Sequence, residues 1–175
     1  MARARTALVL IDLQRWIVGM PWQPIDGTAV VEACGRLREH FTADADSVVV
    51  LVRHVSADGG DGGADAPRNQ LVPQCAPRAG DHLVTKTALD AFEGTGLHET
   101  LRDEGVTDLV LAGLSTAHGV AATATTALRL GYGTTITTDA TASVDEPQYR
   151  AALTRLTGLG AHTTRVADLV ATRAH

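Results

Sequence analysis

The chain has 175 residues, of which 45% are hydrophobic and only 3% aromatic, with a formal net charge of -5. That length accommodates one α/β domain with its own core and leaves no room for a second catalytic module. Fifteen Lys and Arg against twenty Asp and Glu, with the basic residues scattered singly, do not make the basic stripe that a nucleic-acid backbone requires.

Downstream of Arg3 and Arg5, the apolar run Ala7 to Ile11 stops at Asp12. It is too short for the core of a secretory signal, and far short of the roughly 20 residues of a membrane span. The expectation is a cytoplasmic protein without membrane contact. The run from Thr6 to Ile11 is continuous, apolar and too short for a helix, which predicts a buried parallel strand. Ser47 to Arg53, His82 to Lys86 and Thr107 to Gly113 read the same way, with weaker strands over Gly133 to Thr138 and Ala161 to Val166. Helical spacing fills the intervals: Thr28 to Phe41, Gly96 to Glu104, Thr116 to Leu130, Pro147 to Leu159, and a tail from Val166 to Arg173. Strands alternating with helices in this way predict a single-domain three-layer α/β/α fold around a mostly parallel sheet.

The Gly/Asp-rich stretch Ser56 to Asp65 cannot pack a core, and is expected to form a mobile surface loop and a candidate lid. Cys34 lies within a helical pattern and Cys75 in a Pro-flanked stretch. Without a CxxC or a Cys/His ligand spacing, both read as reduced thiols without chemistry, and neither a metal site nor a cofactor is expected.

In open α/β sheets, ligands bind outside the carboxyl ends of the strands. The residues to inspect are therefore Asp12 and Gln14, Arg53 and His54, Lys86, and the turn Gly113 to Gly119. Asp12 and Lys86 would emerge from a dry interior at the ends of two strands, where opposite charges pair and shift each other's pKa. The alternatives to a reactive pair are a structural ion pair at a sheet end, since such pairs perturb pKa values too, and two separate solvated charges. The segment Gly113-Leu-Ser-Thr-Ala-His-Gly-Val-Ala-Ala-Thr-Ala124 joins a strand to a helix through small residues. It is either a close-packed turn or a set of backbone N–H groups aimed at a developing oxyanion. It is not GxGxxG and contains no GK[ST], so nucleotide phosphates have no support. His54 reads as a hydrogen-bonded strand-end histidine. Trp16, Trp22 and Phe92 are candidates for pocket walls, Trp22 equally for packing under the Met20-Pro21 turn.

Taken in order, Leu10-Ile-Asp12-Leu-Gln14, Leu71-Val-Pro-Gln-Cys-Ala-Pro77 with Gly80-Asp81, Thr85-Lys86, Ala91-Phe92, Gly113-Leu-Ser-Thr116 with Val120 and Thr123-Ala124, and Asp139-Ala140 resemble the isochorismatase-like (cysteine hydrolase) superfamily. The resemblance covers nearly the whole chain. It implies a six-stranded parallel sheet of order 3-2-1-4-5-6 and, in the amidase branch, an Asp/Lys/Cys triad. By position, Asp12 matches the family aspartate and Lys86 the lysine, while Gly119 stands at the place of the cysteine. It further implies a non-proline cis peptide between Leu114 and Ser115 that would aim the Ser115 and Gly119 N–H groups into one hole. His118 falls where some nicotinamidases also carry a histidine.

A thioester route needs a thiolate, and Gly119 has no side chain. The Ser115 and Thr116 hydroxyls are the conceivable substitutes, Ser115 within the hole-forming turn and Thr116 expected to cap the following helix. The resemblance also extends to isochorismatases and phenazine-pathway hydrolases, which carry Gly at this place and cleave an enolpyruvyl ether without a covalent nucleophile. In that reading Asp12 is the general acid, Lys86 holds and tunes it, Gln14, Trp16, Phe92 and His118 bind substrate, and Arg68 is available for a substrate carboxylate. The expected function is Cys-less hydrolysis of a small enol ether in secondary metabolism, by a homo-oligomer whose partner is a small-molecule substrate. The alternatives are a non-catalytic binder or partner subunit and a water-mediated amidase. Small residues on the Thr116 helix, Ala121, Ala122, Ala124 and Ala127, suit core packing or a subunit interface.

Overall fold

A computed structural model describes residues 5–172; Arg3, and Arg173 at the end of the expected tail helix, lie outside the described residues. The strands are β1 (Arg5–Ile11), β2 (Ser47–His54), β3 (His82–Lys86), β4 (Val106–Leu114), β5 (Gly133–Ala142) and β6 (His162–Thr164). All pair in parallel, in the order β3-β2-β1-β4-β5-β6. Helices α1 (Arg15–Val18), α2 (Gly27–Thr42), α3 (Leu97–Asp103), α4 (Ala121–Arg129), α5 (Glu146–Gly158) and α6 (Val166–Thr172) cover the sheet.

The period of two along β1 explains the three layers. Ala7, Val9 and Ile11 face α3, α4 and α5 through Leu97, Leu101, Ala121, Ala124, Ala127 and Leu156. Leu8 and Leu10 point the other way, onto Val30, Val31, Cys34, Leu37 and Phe41 of α2 and Val166 of α6. A strand buried on both faces has no polar alternate positions to offer, so it reads as one apolar run. Asp26 starts α2 by accepting from the Ala29 N–H at 2.8 Å, and Asp145 does the same for α5 through the Gln148 N–H at 2.8 Å. Asp139 Oδ1 accepts from the Val166 N–H at 2.8 Å and so fixes the start of α6.

The small residues Ala121, Ala124 and Ala127 are spent on the core. The expected single helix from Thr116 to Leu130 is two pieces: a π-helical turn over Thr116–Val120, then α4. Thr116 does not cap it. Its hydroxyl is fully buried 2.8 Å from Thr141 Oγ1, and Ser143 Oγ instead accepts from the Ala117 N–H at 3.1 Å.

No residue from Ser56 to Asp65 is buried, but the segment is extensively hydrogen bonded. Asp61 accepts from the Ser56 and Gly63 N–H groups at 2.8 and 2.9 Å, and the buried Asn69 side chain donates to Gly63 O at 2.8 Å. Among the described residues no helix is long and apolar enough to cross a membrane.

Candidate active site

The chain leaves β1 toward one edge of the sheet and returns at β4 toward the other, so a crevice opens where the carboxyl ends of β1 and β4 adjoin. A cavity of about 240 Å³ lies there, lined by Asp12, Trp16, Ile17, Met20, Trp22, His54, Lys86, Leu89, Leu114, Ser115, His118 and Gly119. Gly113 is what lets the two strand ends meet. Its φ is +113°, and a Cβ would stand 2.2 Å from the Ile11 carbonyl oxygen, so only glycine fits.

Asp12 follows β1 with φ 54°, an uncommon backbone state for a residue other than glycine, and its N–H donates to Val52 O at 2.9 Å. The Asp12 residue is 7% exposed and Lys86 1%, and Lys86 Nζ sits 2.9 Å from Asp12 Oδ2. The ammonium also donates to Ala88 O at 3.1 Å. Asp12 Oδ1 is buried without a hydrogen-bond partner. Burial pushes the Asp12 carboxyl above its ordinary value; the Lys86 charge and hydrogen bond, with a smaller pull from His54, oppose the shift without cancelling it. The outcome is a dry carboxyl, harder to ionise than a free one, beside a fixed cation.

The peptide between Leu114 and Ser115 is cis. In the turn that follows, the N–H groups of His118 and Val120 both donate to Ser115 O, at 3.2 and 3.1 Å. Gly119 lines the cavity with its backbone alone. Ser115 Oγ lies 2.9 Å from His118 Nδ1. A Cβ built on Gly119 would stand 3.5 Å from Asp12 Oδ2 and 3.3 Å from Ile11 Cγ2, so position 119 points at the carboxyl.

The cavity thus brings together Asp12, Lys86, Ser115, His118, Gly119 and Trp16. Arg68 stands over the Trp16 ring, 4.9 Å from its centroid. Gln14 is placed elsewhere, fully buried behind the site. Its side chain donates to His54 O and Asn69 O at 2.8 and 3.1 Å and accepts from the His54 N–H at 2.8 Å, tying the end of β2 to Asp12. Phe92 is outside the lining as well: its ring stacks on Tyr132 at 6.1 Å and packs on the core. The sequence reading missed the inward-facing side of His54, and Leu89, Ile17 and Met20, which complete the apolar wall. Trp22 belongs to that wall and donates through Nε1 to Ile17 O at 2.7 Å. Leu89 follows Lys86 by three positions, and this is the one signal that could have found it.

Neither thiol reaches the site. Cys34 and Cys75 are buried in the core layer beneath α2; burial pushes Cys75 up to about 11 and Cys34 well above its ordinary value.

Comparison with known proteins agrees with this architecture. The isochorismatase domain model matches residues 6–168. An uncharacterised isochorismatase family protein of Bacillus subtilis (strain 168), YwoC, is 36% identical over 163 residues, covering 85% of this chain and 84% of that one. A streptothricin hydrolase of Streptomyces noursei is 36% identical over 145 residues, which is 81% of this chain but 51% of that hydrolase; the chain thus matches about half of its length. The structure of an isochorismatase family protein from Burkholderia thailandensis superposes with a TM-score of 0.88 at 30% identity, covering 97% of this chain and 96% of that one. The chain belongs to the isochorismatase family of hydrolases.

Proposed function

We propose that this hydrolase cleaves a small enol (vinyl) ether by proton transfer from Asp12, without a covalent cysteine intermediate. The observation that carries the reading is the Asp12 carboxyl itself, raised above its ordinary value by burial and aimed at a residue with no side chain. Gly119 stands where the amidase branch carries its nucleophile, and both thiols of the chain are buried elsewhere. A thioester route therefore has no sulfur to use.

The reaction follows from these parts. The Asp12 acid gives its proton to the terminal methylene carbon, and the double-bond electrons form the new C–H bond. The cation left behind is shared by the adjoining carbon and the ether oxygen. Lys86 holds the carboxylate that results, at 2.9 Å. Water adds to the cationic carbon and returns a proton to Asp12, and the hemiketal breaks its C–O bond to give a ketone and an alcohol. One water is consumed and the protein is restored. A 240 Å³ cavity walled by Trp16, Trp22, Ile17, Met20 and Leu89 suits a small, partly apolar metabolite.

Isochorismate and a short series of enolpyruvyl ethers in 18O-labelled water test this reading. Pyruvate is expected above background, with the product alcohol retaining its original oxygen. Label in the alcohol, or no pyruvate from any member, overturns it.

A further inference from the structure

The hydroxyl of Ser115 and the imidazole of His118 form a pair that the acid chemistry of Asp12 leaves unused. Both line the cavity, and Oγ is 2.9 Å from Nδ1. The π-helical turn makes the contact, because it brings residue 118 back over the residue that precedes the helix. Ser115 is buried at the cavity wall whereas His118 is exposed, so the ring can exchange its proton with water. With the ring proton on Nε2, Nδ1 accepts from the Ser115 hydroxyl, which is the contact that activates a serine nucleophile. Gly119, next in the chain, lines the same cavity with nothing but backbone.

We infer that Ser115 and His118 form a nucleophile–base pair that gives this cavity a second activity, the hydrolysis of small unhindered carboxylic esters through an acyl-serine. Ser115 Oγ attacks the ester carbonyl carbon while His118 Nδ1 takes the hydroxyl proton. The tetrahedral oxyanion is received by the Gly119 N–H. The C–O bond to the alcohol then breaks, and His118 returns its proton to the departing alkoxide. Water repeats the sequence on the acyl-serine, giving a carboxylic acid and the free hydroxyl. Each turnover consumes one ester and one water, with no oxidant or metal. The apolar wall of Trp16, Ile17 and Leu89 would take the acyl chain, and a volume near 240 Å³ limits it to a short one.

A small alkyl fluorophosphonate, which marks activated serines covalently, tests this on the intact chain. Mass spectrometry with peptide mapping is expected to find one adduct, on Ser115, in the wild type, a readout of the serine itself that is separate from pyruvate release in the enol ether reaction. His118→Ala is expected to slow labelling by roughly 100-fold or more, the usual loss on removing a general base. Ser115→Ala is expected to remove it, with p-nitrophenyl acetate hydrolysis falling in parallel. If Ser115→Ala does not fold, as judged by circular dichroism, His118→Gln at an exposed position decides instead and is expected to lose labelling to the same extent. An unmarked Ser115 in the folded wild type, or histidine variants labelled at the wild-type rate, overturns the assignment.

Discussion

Asp12 and Gly119 face one another across the end of the sheet, with Asp12 Oδ2 standing 3.5 Å from the place a Cβ on residue 119 would take. The other close neighbours of that place are Ile11 Cγ2 at 3.3 Å and Leu89 O at 3.6 Å, and the backbone of Gly119 is not left-handed. Gly119→Cys is therefore expected to fold, losing about 1–3 kcal/mol as Ile11 gives way. It would set a thiol beside the Asp12 and Lys86 charges. Iodoacetamide with peptide mapping is expected to alkylate position 119 well before Cys34 or Cys75. A new thiol as inert as the two buried ones would show that position 119 does not open onto the reactive corner.

The pH response follows from the sign of the Asp12 shift. Its folded-state pKa is above the ordinary 3.8, so protonation favours the folded chain. This contribution to stability is complete below 3.8 and is lost as pH rises through the raised value. An activity that needs the acid declines over the same rise, so kcat/KM for an enol ether is expected to fall toward alkaline pH. Lys86→Met removes the charge that opposes burial and is expected to move the decline to higher pH. Above it, urea unfolding should show a loss of about 3–5 kcal/mol, the cost of breaking a buried pair by deleting one partner. A decline that moved to lower pH would contradict the stated balance between burial and Lys86.

Gln14 gives a structural test. Replacing it with Leu leaves the His54 N–H and the carbonyls of His54 and Asn69 without their side-chain partner. The expected loss is about 1–3 kcal/mol in denaturant unfolding, typical of buried polar groups left unsatisfied. A change within about 0.5 kcal/mol, the range of ordinary surface substitutions, would mean that these bonds do not hold the strand ends together.

The thiols supply another. With Cys75 pushed up to about 11 and Cys34 well above its ordinary value, native protein at pH 8 is expected to leave Ellman's reagent almost unreacted. Both thiols should titrate after unfolding in guanidinium. Rapid labelling of the native chain would place a thiolate where the structure has a buried thiol.

The sheet was legible because each of its central strands is buried on both faces, so that Thr6–Ile11 and Ser47–Arg53 stand out as unbroken apolar runs between helical patterns. Asp12 was legible for the same reason, as the charge that ends such a run, whereas Lys86 ends the partly exposed edge strand β3 and was legible from its place at a strand end. The direction of the Asp12 shift was not, because burial and the Lys86 charge act in opposite senses and only coordinates weigh them. Gln14 and Phe92 show the other limit: closeness in sequence to Asp12 and Lys86 did not say which way each side chain turns. Gln14 turns to the backbone of His54, and Phe92 to Tyr132. Arg38 was hidden altogether, since a guanidinium on the apolar side of α2 is intelligible only once Asp81, distant in sequence, is seen to pair with it.

Enol ether cleavage by this protein stands on a proton supplied by Asp12. The most direct measurement is the rate of pyruvate release from an enolpyruvyl ether by the wild type and by Asp12→Asn, side by side and at matched folded concentration. The wild type is expected to release pyruvate well above background and the variant to lose roughly 100-fold or more, the usual effect of removing a general acid. Release by Asp12→Asn at the wild-type rate would contradict it.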